Sequence, residues 1–252
     1  MDRRTATLRL RAKLRAGGSS IGSWMQIPHP SIAEVLGQAG YDWVAIDMEH
    51  GTIGVHQLPD LFRALELRDT LALVRLAEGH PKDCKQALDA GAAGVIIPMV
   101  ESAEQLLAVR NACRWPPAGE RGVGFSRANL FGQNFEAYAT EAQAPLLVAM
   151  IEHVRAVQAL PQILAVPGLD AILVGPYDLS ASIGVTGRFE EPKFAATMAE
   201  IRTLALRADI PYGVHVVTPS PDTLQFRLQE GCRFLAYGTD AQFLMQGAKR
   251  DK

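Results

Sequence analysis

The sequence predicts a single-domain α/β protein spanning residues 1–252, a (β/α)8 TIM barrel, and three observations carry that prediction. Eight short β-rich apolar runs recur along the chain, and helical patterns separate them. No G-x-G-x-x-G follows the first run, which disfavours a doubly wound open sheet whose dinucleotide site would need that loop. Length agrees with both points, because barrels of this kind run to about 250 residues around one core.

The strands are expected near Ser20–Ile27, Trp43–Glu49, Leu71–Leu76, Gly94–Met99, Leu146–Glu152, Ala171–Gly175, Tyr212–Val217 and Phe234–Tyr237. Runs such as VIIPM and AILVG are apolar without alternation, the signature of parallel strands covered on both faces.

Punctuation places the helices between them. Ser31-x-x-Glu34 and Ser102-x-x-Gln105 read as capping boxes, whose side chains satisfy the free amides of a first turn. Pro81, Pro192 and Pro221 stand where a first helical residue needs no amide donor, with Ser220 as N-cap before Pro221. Gly231 reads as a left-handed stop. At the start, Arg3, Arg4, Arg9, Arg11, Lys13 and Arg15 face only Asp2, a composition shared with transit peptides. The preferred reading is a short leading helix ending at Gly17–Gly18, with Leu8, Leu10 and Leu14 against the body. The segment of over thirty residues between Cys113 and Leu146 breaks the rhythm, and is expected to be a lid or a subunit contact.

Composition excludes several partners. Twenty-five Lys and Arg against 27 Asp and Glu leave a net charge of −2, a poor match for nucleic acid. No apolar run approaches the roughly 20 residues that span a bilayer. Cys84, Cys113 and Cys232 are scattered and odd in number, which argues against a disulfide framework and a zinc cluster. The expectation is a cytoplasmic protein.

In such a barrel the chemistry gathers where strands end. The second strand ends in Asp47-Met48-Glu49-His50-Gly51, the third in Arg75, the fifth in Glu152-His153, and the sixth runs into Gly175-Pro176-Tyr177-Asp178. Glu152 and Asp178, on adjacent strands, offer oxygen ligands to a hard cation such as Mg²⁺ or Mn²⁺. Asp178 also suits an N-cap, and Glu152 an ion pair with Arg155. Arg75 suits a substrate oxyanion or carboxylate, or else a structural bridge to Asp47 or Glu49. His50 is the histidine best placed for acid–base work. His29 and His215 read as satisfied rim or core residues, and His56, His80 and His153 as surface or loop residues. None of the six lysines falls in an expected strand, so a Schiff-base aldolase has no candidate nucleophile. No glycine-rich loop follows the seventh or eighth strand, which favours a small carboxylic acid over a sugar phosphate.

The segments AGYDWVAIDMEHG, ALDAGAAGVIIPMVES, PPAGERGVG, Ile151-Glu152 and GLDAILVGPYDLSASIG together resemble the HpcH/HpaI family of metal-dependent pyruvate aldolases. That resemblance implies reversible cleavage of a 4-hydroxy-2-oxo acid to pyruvate and an aldehyde. It implies a divalent metal (Mg²⁺, Mn²⁺ or Co²⁺) on Glu152 and Asp178, His50 as catalytic base and Arg75 as transition-state stabiliser. Gly175, Pro176, Tyr177 and Asp178 would join Arg75 in holding substrate, and Asp89 would raise the basicity of His50. Asp89 nonetheless falls at a helix end before a strand, the opposite face of the barrel. Met150 stands where many relatives carry a glutamine that donates to substrate, and its sulfur is only a weak acceptor. The family also implies a cytoplasmic homo-oligomer, often a hexamer, with the C-terminal helix around Thr239–Gln246 packed on a neighbour. Two alternatives stay open: a CoA-thioester lyase of the same superfamily, and a non-catalytic barrel that binds oxo acids.

Overall fold

The computed structural model describes residues 2–250. Eight parallel strands close into a barrel in chain order: β1 (Ser20–Met25), β2 (Trp43–Asp47), β3 (Leu71–Arg75), β4 (Gly94–Ile97), β5 (Leu146–Ile151), β6 (Ala171–Val174), β7 (Tyr212–Val216) and β8 (Phe234–Thr239). All eight stand where the sequence places them, with ends displaced by a residue or two. The helices are α1 (Arg3–Arg15), α2 (Pro30–Gln38), α3 (Leu58–Glu66), α4 (Pro81–Ala90), α5 (Ala103–Cys113) and α6 (Phe135–Glu141) in the first half. The second half adds α7 (Val154–Gln158), α8 (Leu160–Leu164), α9 (Pro176–Ser182), α10 (Pro192–Arg207), α11 (Pro221–Gln229) and α12 (Asp240–Gly247).

Alternation along each strand divides the core in two. Inward side chains, among them Trp24, Trp43, Leu73, Val148, Leu173 and Phe234, fill the barrel. Outward ones such as Val44, Val74, Ile97 and Val174 pack under the helices. Helix α1 closes the N-terminal end, since Leu10 and Leu14 join the interior cluster and Arg11 holds Asp170 through bonds of 2.7 and 2.9 Å. Leu8 is 53% exposed, contrary to expectation. Leu10 and Leu14 are four residues apart on one helix face, whereas Leu8 projects from the other side.

Most helix starts follow their punctuation. Pro81, Pro192 and Pro221 open their helices, Ser220 caps α11, and Gly231 takes a φ of +88° beyond it. The Ser31 box does not form. Pro30 opens α2 instead, and the His29 ring caps it by accepting from the Ser31 amide at 3.2 Å.

The long segment after α5 is no lid. Its Trp115, Ala128, Tyr138 and Ala142 form a small core of their own. Arg127 donates to the Ala90 carbonyl at 3.0 Å and pairs with Glu66, while Arg3 of α1 pairs with Glu141. Those partners belong to α1 and to the C-terminal ends of α3 and α4, at the end of the barrel away from the strand C-termini. Among the described residues, no helix is long and apolar enough to cross a membrane.

Candidate active site

The strand C-termini open on a cavity of about 390 Å³, into which Gln26, His50, Arg75, Met150, Glu152 and Asp178 project. Gly175, Pro176 and Tyr177 form one wall, and His215 also lines the cavity. Seven residues singled out from the sequence, His50, Arg75, Glu152, Gly175, Pro176, Tyr177 and Asp178, therefore meet in one space.

The first polar unit comes from strand register. Asp47 and Arg75 are paired positions on β2 and β3, so their side chains lie side by side. Asp47 accepts from Arg75 Nε at 2.9 Å and from Nη2 at 2.6 Å, while Arg75 Nη1 lies 2.8 Å from Glu49 Oε2. Both structural bridges foreseen for Arg75 are thus made, and they aim its guanidinium over the Trp24 ring at the cavity edge. Asp47 also accepts from Gln26 Nε2 at 3.0 Å and from the amides of Glu49 and His50, both at 3.1 Å. Burial alone would raise its pKa, but the Arg75 bonds and charge, helped by Gln26 and the His50 amide, outweigh that and hold it at about 2. Asp47 is therefore a permanent anion that fixes both the cation and the turn leading to His50. Gln26, at the end of β1, was open to the same strand-end reading and was not singled out by it.

The second unit is carboxylate-rich. Glu152 follows the last registered pair of β5 and β6, which places it opposite Gly175. It is 2% exposed, and its Oε1 accepts from the Met99 amide at 2.6 Å. A Cβ on residue 175 would stand 2.5 Å from Glu152 Oε2, so the glycine makes room for the carboxylate. Arg155, the alternative partner, instead holds Glu101 at 2.7 Å. Asp178 lies in the first turn of α9, but the N-cap is Gly175 and no side chain caps that helix. Both structural alternatives for Glu152 and Asp178 are thereby displaced. Burial, reinforced by the charges of Glu49 and Asp178 against the Met99 bond, pushes Glu152 up to about 7. Among the described residues no three His, Cys, Asp or Glu side chains cluster as a metal cage. Two carboxylates suit a hard cation that completes its shell with water and a chelating oxo acid, and not a closed zinc site.

The histidines sort clearly. His50 is exposed at the mouth, whereas His153 caps α7 by accepting from the Arg155 amide. His215 differs from expectation. It stacks on Trp24 at 4.7 Å, burial with a lesser push from Arg75 lowers its pKa to about 4, and its Nε2 has no hydrogen-bond partner among the described residues. It is a neutral ring beside the cavity, hydrogen-bonded to the Gly238 backbone but with Nε2 left unpaired, so it is only half satisfied. Strand alternation places it inward, but no sequence pattern reveals whether its ring nitrogens are paired.

Asp89 lies elsewhere. It sits in the last turn of α4 with its carboxylate 3.5 Å from Arg121, and it does not line the cavity. Burial pushes its pKa up against the pull of Arg121. No described lysine lies on a strand, and Lys252 is outside the described residues.

Residues 20–247 match the family described as HpcH/HpaI aldolase/citrate lyase. The chain belongs to that family. Like other HpcH/HpaI aldolases it is a carbon–carbon lyase. It is 37% identical over 239 residues to a hydroxypyruvate/pyruvate aldolase of Roseobacter denitrificans, covering 94% of this chain and 92% of the relative. It is also 37% identical over 240 residues to a 4-hydroxy-2-oxovalerate aldolase of Novosphingobium aromaticivorans, covering 94% and 90%. Among solved structures, an HpcH/HpaI aldolase/citrate lyase family protein of Burkholderia cenocepacia superposes with a TM-score of 0.89 at 31% identity, covering 95% of each chain.

Proposed function

We propose that this HpcH/HpaI protein catalyses reversible, divalent-metal-dependent aldol cleavage of a 4-hydroxy-2-oxo acid to pyruvate and an aldehyde. The observation that carries the reading is the meeting of Glu152, Asp178, Arg75 and His50 around one cavity. Glu152 and Asp178 would hold Mg²⁺, Mn²⁺ or Co²⁺. When bound, the cation supplies positive charge against the negative charge that develops on the 2-oxo oxygen as the C3–C4 bond breaks.

The remaining work falls to the chain's own groups. Two of the five N–H groups of Arg75 donate to Asp47 and Nη1 pairs in charge with Glu49, so the guanidinium is fixed in plane with donors left to face substrate. His50, at the rim, takes the proton of the 4-hydroxyl as the aldehyde leaves, and returns it in the synthetic direction. The backbone from Gly175 to Asp178 holds the substrate carboxylate. Asp89 is outside the cavity of its own chain, so its proposed support of His50 requires a second copy. We propose a cytoplasmic homo-oligomer, a hexamer by family resemblance. Exposed Leu244 and Met245 on α12 support the idea that this helix packs on a neighbour, while Phe243 packs on its own barrel.

A panel of aldehydes incubated with pyruvate, with and without Mg²⁺ or Mn²⁺, tests the reading. Products should form only with metal, and borohydride should trap no lysine adduct. Turnover of acyl-CoA instead would identify a CoA-thioester lyase. Metal-dependent pyruvate binding without any turnover would identify a binding protein.

A further inference from the structure

Glu152 is held from outside the cavity, by a loop the reaction does not use. Between β4 and α5 the chain passes through Pro98 and Val100, both buried, and turns over at Met99. Met99 has a φ of +47°, the left-handed region that an unbranched L-residue enters only at some expense. Its amide points inward and donates to Glu152 Oε1 at 2.6 Å. Its carbonyl points outward and accepts from Gln105 Nε2 at 3.1 Å.

Gln105 uses both ends of its side chain. Its Oε1 accepts from the Glu101 amide at 2.8 Å while its Nε2 holds Met99, and separately its backbone N–H donates to the Ser102 hydroxyl at 3.1 Å. The orientation of the carboxamide follows from its partners, because an amide N–H only donates and a carbonyl only accepts. The Ser102 box is therefore modified. Its third residue reaches one position further back than usual, and its free N–H₂ grips the Met99 peptide. A helix cap and the strained peptide above Glu152 are one hydrogen-bonded piece.

We propose that Gln105 is a positioning residue for Glu152. It holds the Met99 peptide in its left-handed turn, so that the amide fixes one carboxylate oxygen and leaves the other facing Asp178 and the cavity. This rests on the assignment of Glu152 as a metal ligand made above. Partners that orient a ligand commonly govern metal affinity by 10- to 100-fold. Gln105 is exposed at the start of α5 and touches neither substrate nor metal, so its effect travels only through Met99.

Two substitutions separate this role from ordinary capping. Gln105→Glu keeps an acceptor for the Glu101 amide, and an acidic residue suits a helix start. It removes the donor to Met99. Its added negative charge would by itself favour a cation, so weaker binding reports the lost donor. Gln105→Leu removes both ends. Mn²⁺ binding by the full-length protein, followed by electron paramagnetic resonance, should weaken on the order of tenfold in both variants. Hydrogen exchange at the Met99 amide should accelerate in both, while Gln105→Glu keeps the wild-type melting temperature. Mn²⁺ affinity within twofold of wild type in Gln105→Glu, with unchanged Met99 exchange, overturns the proposal. If the wild type itself fails to bind Mn²⁺, the metal reading falls, and Met99 exchange alone then decides whether Gln105 orients that amide.

Discussion

Gly175 and Glu152 share one space: a methyl group on the former would lie 2.5 Å from Oε2 of the latter. Real Cβ atoms do not approach so closely, so Gly175→Ala must swing the carboxylate away from Asp178. Mn²⁺ affinity should fall by roughly ten- to a hundredfold, with the barrel still folded by circular dichroism. Wild-type affinity in that variant would show that the carboxylate pair is not the metal site.

Glu152 should also set a pH dependence in metal-free protein. Its folded pKa of about 7 lies above the ordinary 4.5, so the folded state binds the extra proton between those values. Stability is then lost as pH rises from 4.5 to 7, by up to about 3 kcal/mol. Glu152→Gln keeps an acceptor for the Met99 amide and removes the titration. Denaturant unfolding without metal should find this variant more stable than wild type at pH 8 and equal to it near pH 4.

Asp47 carries the opposite sign. Its pKa falls from 3.8 to about 2, so its contribution is present above pH 4 and is lost as pH falls through 2. The shift corresponds to about 2 kcal/mol, and the residue is fully buried. Asp47→Asn should therefore lower the melting temperature at pH 7 while narrowing its difference from wild type at pH 2. It should also depress activity, because Arg75 loses its bidentate anchor.

His50→Ala should slow aldol cleavage by about 10²- to 10⁴-fold and slow proton exchange at the pyruvate methyl far less. In the proposed mechanism the base would act on the 4-hydroxyl, which exchange does not involve. Arg75→Lys should impair both reactions, because the ammonium cannot keep the two-pronged contact with Asp47. Equal losses in both reactions for His50→Ala would assign the histidine to pyruvate deprotonation.

The barrel was legible because parallel strands such as β4 and β6 are apolar on both faces and announce themselves without alternation. The rim was legible for the same reason. Once strand ends are known, Arg75, Glu152 and Asp178 have only one place to go. Local competition was harder to read. At α2, Pro30 fixes the first turn before Ser31 can cap it, and a histidine is an unusual N-cap. Contacts that depend on a single backbone rotation were beyond reach. The Met99 amide meets Glu152 across 53 residues only because φ is positive there, and nothing in IPMVES marks that angle. Asp89 shows the reverse, since element order alone placed it at the far end, where its carboxylate lies 3.5 Å from Arg121.

The concentration of carboxylates at the mouth has a kinetic consequence. Asp47, Glu49, Glu152 and Asp178 stand around a single guanidinium, two of them already bound to it. An incoming 2-oxo acid is itself an anion, and it meets repulsion from whichever of these groups stay ionised and uncompensated. A divalent ion bound first would reverse that local field and turn the mouth from a barrier into an attractor. On the proposed reading arrival would be ordered, cation before oxo acid, and added salt should relieve repulsion in the bare protein and weaken attraction in the loaded one.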